Sequence, residues 1–378
     1  MRVAIVGAGI VGLAHAWSAA ERGCRVTVFE RNTRASGASI RNFGMVWPIG
    51  QPAGACYETA SISRARWLSA AEKAGIWVNS CGSIHLAHRD DEWAVLQEFA
   101  SKADSLGIEC ELLTPQQVHC NTPAANPEGL LGGLFSPAEL CVNPREATRT
   151  LPEFLREQLH VAFHFNTYVR HIECSESAVS VVASNGLRNE FDRVIVCCGA
   201  ELQVLFPEVL QQAGLRLCKL QMMSVRGYET EWKLGPHLAS GLTLRHYQNF
   251  DVCDGLPGLK QRIADETPEL DLFGIHVMAS QNNHGEIILG DSHEYDANID
   301  AFDKTLIDNL ILRELKKILR LPDWTIAEHW HGIYARYSKA PVFESSPMPG
   351  VHIVTGTGGA GMTMAFGLAE QQWKRWTS

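Results

Sequence analysis

The chain has 378 residues, of which 46% are apolar and 20% charged, and its formal net charge is −9. This is the composition of a globular protein, and it excludes a disordered chain, a collagen and a small disulfide-stapled domain. The length predicts two domains, each with its own core. The acidic balance lacks the basic stripe of a nucleic-acid-binding surface, so we expect no nucleic acid as a partner.

The cysteines and the N-terminus indicate the compartment. The eleven cysteines include no C-x-x-C pair, which favours reduced thiols in the cytosol over a disulfide framework or a zinc ribbon. Glycines interrupt the first apolar run, residues 3–6, before it reaches the length of a signal-peptide core. No run approaches the ~18 apolar residues that a spanning helix needs. We therefore expect a cytoplasmic protein without a membrane span.

The chain opens with the pattern of a dinucleotide-binding βαβ unit. Residues 3–6 predict a buried parallel strand, and Gly7-Ala8-Gly9-Ile10-Val11-Gly12 follows directly. Residues 13–22 predict a helix, and residues 24–30 a second strand that ends on Glu30. The glycine fingerprint in this order of elements is typical of a dinucleotide site.

Each residue type in this unit has a physical purpose. Gly7 permits the tight turn, Gly9 lets the backbone approach a pyrophosphate, and Gly12 allows close packing of the helix. The helix N-terminus faces the phosphates, and Ile10 and Val11, which lead into it, are expected to contact the cofactor. Glu30 can accept hydrogen bonds from both ribose hydroxyls. The alternative is a glycine-rich turn that binds nothing.

The segment after Glu30 bears on whether the nucleotide is NAD or FAD. An NAD half-domain would run into another helix and strand, whereas residues 31–39 are small, polar and interrupted by glycine. Such a loop can return over a pyrophosphate, and the apolar stretch after Asn42 can lie along an aromatic ring system, as FAD requires. An ordinary surface loop is the alternative. The expected contacts in this segment are Arg31, Ser36, Ser39, Asn42, Gly44 and Met45.

Three further segments complete a resemblance to the D-amino acid oxidase, glycine oxidase and sarcosine oxidase family of FAD enzymes. Residues 191–200 resemble the family's second buried strand ending in Gly-Ala, and residues 350–363 resemble its final strand, glycine turn and helix. Trp330-His331-Gly332-Ile333-Tyr334 stands where the family has Trp-x-Gly-x-Arg. The resemblance implies non-covalent FAD, held also by Val169, Cys198, Gly199, Gly356, Gly358, Gly359, Gly361, Met362 and Thr363.

The C-terminal glycines form a second apparent fingerprint, Gly356-x-Gly358-x-x-Gly361. Too few residues follow it for another strand and a ribose-binding acid, so we expect no NAD(P)H site there. A helix that begins near Gly359 would instead direct its positive end at the flavin. We therefore expect the substrate itself to reduce the flavin.

The predicted fold class is α/β, with a Rossmann-like FAD-binding domain and a mixed-sheet α+β substrate domain, each discontinuous as in glycine oxidase. Asn143-Pro144 predicts the start of a helix, as cap and first-turn proline. We expect a strand over 272–279, and turn-rich mobile loops over 251–257 and 266–272. The expected FAD-binding segments are 1–80, 143–212 and 322–378, and the substrate segments are 81–142 and 213–321.

The resemblance implies oxidation of a C–N bond by hydride transfer to flavin N5, followed by hydrolysis of the imine. Relatives that oxidise α-amino acids grip the carboxylate with the arginine of Trp-x-Gly-x-Arg, but this chain has Tyr334 there. Arg336 and Lys339 follow it and, with Arg41, predict a site for an anion placed differently. We assign catalytic roles to His276, His331 and Tyr334, and substrate binding to Arg41, Tyr334, Arg336 and Lys339.

The identity of the substrate is a hypothesis. Residues 39–48 resemble a bacterial branch of the family associated with phosphonate breakdown, which favours an aminophosphonate such as 2-aminoethylphosphonate or its N-methyl form. Electrons pass to oxygen or to a carrier. The alternatives are a glycine, sarcosine or D-amino acid oxidase or dehydrogenase, a non-catalytic flavin-binding module, and an NAD-dependent dehydrogenase. His329 and His331 share a strand face without a third ligand, so we expect no metal.

Overall fold

The computed structural model describes residues 1–176, 178–227, 232–296 and 299–377. Within these ranges, no helix combines the length and the apolar character needed to cross a membrane. The α-helices are α1 (Ile10–Glu21), α2 (Ala55–Ala74), α3 (Asp90–Ala103), α4 (Pro115–Asn121), α5 (Pro144–Leu159), α6 (Pro207–Ala213), α7 (Leu256–Glu266), α8 (Pro268–Leu272), α9 (Thr305–Ile318) and α10 (Gly361–Thr377).

Most strands are short, and the longest are β14 and β19. They are β1 (Arg2–Val6), β2 (Arg25–Phe29), β3 (Met45–Val46), β4 (Val78–Asn79), β5 (Ser83–Ala87), β6 (Glu111–Leu113), β7 (Gly132–Ser136), β8 (Leu140–Val142), β9 (Ala162–His164), β10 (Val169–Cys174), β11 (Val179–Ala183), β12 (Arg188–Phe191), β13 (Arg193–Val196), β14 (Arg216–Val225), β15 (His237–Ala239), β16 (Met278–Gln281), β17 (Ile287–Gly290), β18 (Glu294–Asp296), β19 (Ile326–Arg336), β20 (Phe343–Met348) and β21 (Val351–Thr355).

A six-stranded sheet of order β20-β21-β13-β1-β2-β9 forms the first half of the molecule. Every pairing in it is parallel except β20–β21. Val3, Ala4 and Ile5 are fully buried, as expected for a parallel strand that is covered on both faces. Helices α1, α2 and α10 pack together beside it, and the Trp67 indole donates a hydrogen bond to the Met362 carbonyl at 2.9 Å. The predicted Rossmann-like half is confirmed.

A nine-stranded mixed sheet forms the other half. Its order is β18-β14-β17-β16-β15-β5-β7-β6, and β19 pairs with β14 off this path. The β15–β5 pairing is parallel and the others are antiparallel. Two three-stranded sheets, β10-β11-β12 and β3-β8-β4, complete the architecture. The predicted combination of an α/β half with a mixed-sheet half is therefore present.

Strand β19 joins the nine-stranded sheet, although residues 322–378 were all expected in the FAD-binding segments. It pairs antiparallel with β14 along its whole length, and Arg336 at its end forms a backbone bridge with Thr357. Strand β19 therefore runs from the second sheet to the glycine turn before α10. The turn at Pro322 is visible in the sequence, but the pairing partner of the strand that follows is a non-local contact.

The loop predicted over 266–272 is wrong, because the end of α7 and the whole of α8 occupy it, and the strand predicted over 272–279 is reduced to its last two residues, where β16 begins. The loop predicted over 251–257 is correct in part, since residues 253–255 connect the 3₁₀ segment that ends at Val252 to α7. The prolines that indicated turns, Pro257 and Pro268, stand in the first turn of these helices, where a proline costs no hydrogen bond. The start of α5 is confirmed, since the Asn143 side chain accepts hydrogen bonds from the backbone N–H groups of Arg145 and Glu146.

Candidate active site

A cavity of about 980 Å³ extends from the β1–α1 loop to the end of β19. This volume is at the upper end of the range of about 300–1,000 Å³ for ligand sites. We call the part around Gly7 and Glu30 the glycine-rich end. The opposite part, the histidine end, is formed by His246, His276, Asp291, His293, Tyr295, Tyr334 and Arg336.

The glycines of the first loop are required by space. Gly7 has φ +103°, and a Cβ there would lie 2.4 Å from the carbonyl oxygen of Cys197. A Cβ on Gly12 would lie 1.9 Å from the carbonyl oxygen of Gly7. Because neither residue has a side chain, the loop can pass close to the end of β13, and α1 can begin directly at the cavity wall.

Glu30 is held in place at the edge of the cavity. Its Oε2 accepts a hydrogen bond from the Ala8 N–H at 2.9 Å, and its Oε1 accepts one from the Asn32 N–H at 3.0 Å. The side chain is only 8% exposed. A carboxylate has about four lone-pair sites, so it retains the capacity to accept hydroxyl donors from a ligand. Ser39 Oγ similarly accepts from the Ile10 N–H, at 2.9 Å, at the start of α1.

A second glycine turn lies across the cavity, before α10. Gly356 and Gly358 have φ +75° and +59°, and α10 begins at Gly361. The Thr363 hydroxyl accepts a hydrogen bond from the Trp47 N–H at 2.9 Å, which ties the helix to the segment that follows the first loop. The partial positive charge of the α10 N-terminus is thus part of the cavity wall.

The structure brings together the residues expected to contact the nucleotide. Gly44 is the exception, because it does not line the cavity. A Cβ built on it would point at the backbone instead, 2.1 Å from the Val142 carbonyl oxygen. Those that line the cavity are Gly7, Gly9, Ile10, Val11, Gly12, Glu30, Arg31, Ser36, Ser39, Asn42, Met45, Val169, Cys198, Gly199, Gly356, Gly358, Gly359, Gly361, Met362 and Thr363.

At the histidine end, His276 and Asp291 form a buried pair. Their backbones exchange two hydrogen bonds, of 3.3 and 2.9 Å, and His276 Nε2 lies 3.2 Å from Asp291 Oδ1. The two residues are 2% and 5% exposed. His293 Nε2 lies 4.0 Å from Asp291 Oδ2, and its Nδ1 donates a hydrogen bond to the Gly274 carbonyl at 3.1 Å.

Three imidazoles stack beside this carboxylate. The His246 and His276 ring centroids are 3.9 Å apart with planes at 33°, and those of His276 and His293 are 5.0 Å apart at 17°. Each ring has a nitrogen within 4.8 Å of a nitrogen of the others. The His246 and His293 ring centroids are 4.5 Å apart, with planes at 42°. The three rings therefore form one compact cluster.

Burial sets the charges of this cluster. It lowers the pKa of His293 to about 4 and the pKa values of His246 and His276 well below 6.5, so all three imidazoles are neutral at pH 7. The same burial raises the pKa of Asp291 well above 3.8. It also raises the pKa of Tyr334 well above 10.

All three cations that were predicted to bind the substrate line the cavity, namely Arg41, Arg336 and Lys339. Arg336 Nη1 donates a hydrogen bond to the Tyr295 hydroxyl at 2.6 Å. Arg41 Nη1 donates one to the His331 carbonyl at 3.2 Å. Tyr334 lies beside the second glycine turn, with its hydroxyl 3.6 Å from the Cβ position of Gly359.

The predicted catalytic residues separate into two groups. His276 and Tyr334 line the cavity, but His331 does not, and its Nδ1 lies 2.9 Å from an oxygen of Asp303. The reason is strand alternation. His331 and Tyr334 are three residues apart on β19, so their side chains point to opposite faces of the sheet.

Four residues of the histidine end were not predicted: His246, Asp291, His293 and Tyr295. Asp291, His293 and Tyr295 alternate along residues 291–295, a spacing that places three side chains on one side of an extended segment. This alternation was a usable signal. His246 follows a short 3₁₀ segment, Gly241–Arg245, and nothing in its local sequence indicates that its ring stacks on two distant histidines.

The glycine-rich end fits FAD. Two positions that tolerate no side chain, Gly7 and Gly12, give a phosphate access to the N-terminus of α1, and Glu30 is fixed where it can accept from a ribose. The second helix N-terminus, α10, can face the electron-accepting ring system. These groups come from both ends of the chain and share one cavity.

Comparisons with known proteins agree with this fit. The family model described as DAO, FAD dependent oxidoreductase, matches residues 2–371. One of the subunits of the opine oxidase of Rhizobium meliloti is 22% identical over 355 residues, which cover 90% of this chain and 84% of that protein.

Two solved structures show the same fold. Glycine oxidase from Bacillus cereus has a TM-score of 0.78 at 19% identity, over 100% of this chain and 95% of the other. L-alpha-glycerophosphate oxidase from Mycoplasma pneumoniae, with FAD bound, has a TM-score of 0.76 at 16% identity, over 99% and 94%. Because the family model spans nearly the whole sequence, the chain belongs to the DAO family of FAD-dependent oxidoreductases.

Proposed function

We propose that this protein oxidises the C–N bond of a small anionic amine, with an aminophosphonate as the substrate. FAD, when bound, supplies the hydride acceptor that no side chain can provide. The product imine hydrolyses to an aldehyde and ammonia or an amine. The resemblance of the chain to proteins named glycine oxidase and opine oxidase supports nitrogen-containing substrates.

The observation that supports an anionic substrate best is the excess of positive charge in the cavity. Arg41, Arg336 and Lys339 line it, and Arg336 belongs to the histidine end. The lining of the whole cavity holds four cationic side chains (Arg31, Arg41, Arg336 and Lys339) against the carboxyl groups of Glu30, Glu201 and Asp291, so positive charge remains in excess even when Asp291 is ionised. An anion that enters therefore meets net positive charge with partially desolvated walls, where charge-assisted hydrogen bonds are strong.

Donor number supports a phosphonate over a carboxylate. Relatives that bind α-amino acids use an arginine where this chain has Tyr334, and Tyr334 is buried beside the glycine turn. Arg336 lies two residues further on and is exposed at the cavity mouth. A phosphonate dianion has three oxygens and can use the guanidinium fork of Arg336 together with Lys339. Its amine would extend inward, toward His276 and Asp291.

Anaerobic flavin bleaching tests this proposal. The FAD-loaded protein is mixed with 2-aminoethylphosphonate, its N-methyl derivative, glycine, sarcosine or D-alanine, and absorbance is followed in the flavin band. We expect bleaching by an aminophosphonate at concentrations at least ~10-fold below those of the amino acids, a difference of about 1.4 kcal/mol. Ethylphosphonate, which has no amine, is the matched control and should bind without bleaching.

Two results would redirect the proposal. Bleaching by the amino acids alone would identify the protein as a glycine, sarcosine or D-amino acid oxidase or dehydrogenase. Bleaching by dithionite but by no amine would identify a non-catalytic flavin-binding module. Oxygen consumption compared with dye reduction, after substrate addition, then distinguishes oxygen from a carrier as the electron acceptor. We also propose a cytosolic location, which the free state of the cysteines supports.

A further inference from the structure

We propose that Asp291 binds the ammonium group of the substrate and takes its proton, so that the nitrogen is neutral when the adjacent C–H bond is oxidised. This inference rests on the proposed function, because it requires an amine substrate. Asp291 lines the same cavity as Arg336. The substrate would then be held at two points, with its anion at the mouth and its amine inside.

The position of Asp291 gives it the required access. Its Oδ1 and both ring nitrogens of His276 are buried and make no hydrogen bond of good geometry within the described residues, although His276 Nε2 lies 3.2 Å from Oδ1. Leaving buried polar atoms unpaired costs free energy, so this part of the wall is arranged for a polar group that arrives from the cavity. An ammonium group has the N–H donors that Oδ1 lacks.

Titratable groups from several elements face Asp291. They are His276, His293, Tyr247, Tyr334 and Cys218. Burial lowers the pKa values of the two histidines and raises those of the tyrosines and of the thiol. All five are uncharged at neutral pH, and none of them compensates the negative charge of the carboxylate.

The electrostatics favour Asp291 over the imidazoles as the proton acceptor. Transfer from an ammonium to a carboxylate converts a cation and an anion into two neutral groups, which removes charge from a buried site. Transfer to His276 or His246 would only move the positive charge. The resulting imidazolium would lie near cations that oppose its protonation, Arg245 for His276 and both Arg245 and Arg336 for His246.

The step is a simple proton transfer. One N–H bond of the ammonium breaks, the electron pair stays on nitrogen, and an O–H bond forms on Asp291. No group is oxidised or reduced until the hydride leaves the carbon for FAD. Because a protonated Asp291 cannot accept, the rate should fall as the pH falls through the pKa of this residue, and that pKa is raised by burial.

The test compares the FAD-loaded wild type with Asp291→Asn in anaerobic stopped-flow reduction, with the amine that bleaches the wild type, EDTA present, from pH 6 to 10. We expect a loss of about 10²- to 10⁴-fold at neutral pH, the usual contribution of a positioned acid or base. In the variant, the pH below which the rate falls should move toward the pKa of the free amine. The difference in rate between wild type and variant should therefore narrow at high pH. Asp251→Asn, an exposed carboxylate outside the cavity, is the control.

Binding measurements separate this role from a structural one. Ethylphosphonate should bind wild type and Asp291→Asn equally, whereas the aminophosphonate should bind the variant more weakly. If Asp291→Asn loses FAD, Asp291→Glu is tested in its place. The rate of Asp291→Glu should still fall at low pH, but around a different pKa. An unchanged rate and pH profile in Asp291→Asn, or a pH-independent rate in Asp291→Glu, would overturn the inference and leave the proposed function intact. Failure of every amine to bleach the wild type would refute both.

Discussion

The Arg336 guanidinium lies over the Tyr295 ring, 5.4 Å from its centroid, and donates a hydrogen bond to the Tyr295 hydroxyl at 2.6 Å. Tyr295 thus orients a cation at the mouth of the cavity. Hydrogen bonds to charged groups contribute about 1.5–3 kcal/mol. We expect Arg336→Ala to raise the Kd of 2-aminoethylphosphonate by roughly 10- to 150-fold, measured from the flavin spectrum under anaerobic conditions.

Arg336→Lys is the matched control for this prediction. It keeps the charge but loses the planar fork, so its Kd should fall between those of the wild type and Arg336→Ala. FAD content should stay unchanged in both variants, and Lys339→Ala should weaken binding less because lysine offers a point charge. Wild-type affinity in both Arg336→Ala and Lys339→Ala would show that the anion binds elsewhere.

Gly12→Ala should abolish FAD binding. The new Cβ would lie 1.9 Å from the Gly7 carbonyl oxygen, so the loop and the start of α1 must move apart, and with them the amides that face the pyrophosphate. The measurement is the ratio of flavin to protein absorbance after purification. Gly258→Ala, in α7 with no atom within 4 Å of its Cβ position, is the control and should retain FAD. A Gly12→Ala variant with full FAD would contradict the assigned loop.

His331→Ala should leave the rate of flavin reduction within about 2-fold of the wild type. Its ring lies on the face of β19 opposite to Tyr334 and pairs with Asp303, and the contact to Arg41 uses only the His331 backbone. An exposed pair of this kind contributes about 0–1 kcal/mol to stability. Stopped-flow reduction and a thermal melt check both statements, and a 100-fold loss of rate would show that the imidazole reaches the substrate.

The sequence predicted the glycine-rich end far better than the histidine end, for a physical reason. Gly7, Gly12 and Glu30 act through local backbone geometry within one βαβ unit, which sequence spacing reports directly. His276 and Asp291 pair just beyond the β16–β17 hairpin, whereas His246 reaches them because β15 pairs with β16, about forty residues further along the chain. Strand β19 likewise joins the nine-stranded sheet through its non-local pairing with β14.

Local sequence signals failed at prolines, which occur both in turns and in the first turn of helices. Pro257 and Pro268 indicated turns, yet each begins a helix whose apolar residues are buried, Leu259 and Ile263 in α7 and Leu270 in α8. The same logic succeeded at Asn143, where a capping side chain precedes the proline. The difference is that α7 and α8 have no side-chain cap, so tertiary burial stabilises them.

Glu139 should make stability depend on pH. It is fully buried, accepts hydrogen bonds from the Ile49 N–H and the Ser83 hydroxyl, and burial raises its pKa to about 7. A raised pKa in the folded state means that stability is lost as the pH rises from the unfolded value toward 7. Between pH 5 and 8, the free energy of unfolding of the wild type should fall by roughly 2–3 kcal/mol relative to Glu139→Gln.

Urea unfolding of the two proteins at both pH values measures this difference. Glutamine cannot ionise but keeps an acceptor for Ile49 and a donor for Ser83, so it is a close isostere. Parallel stability curves for wild type and Glu139→Gln would show that Glu139 stays protonated, or is hydrated, over the whole range.

The identity and stoichiometry of the released cofactor test the central claim most directly. The protein is purified, denatured by heat, and the supernatant is analysed by absorbance and chromatography against FAD, FMN and NAD standards. We predict one FAD per chain, all of it released, because no covalent link is expected. A colourless protein that takes up no FAD on incubation, or one that releases NAD, would contradict the account.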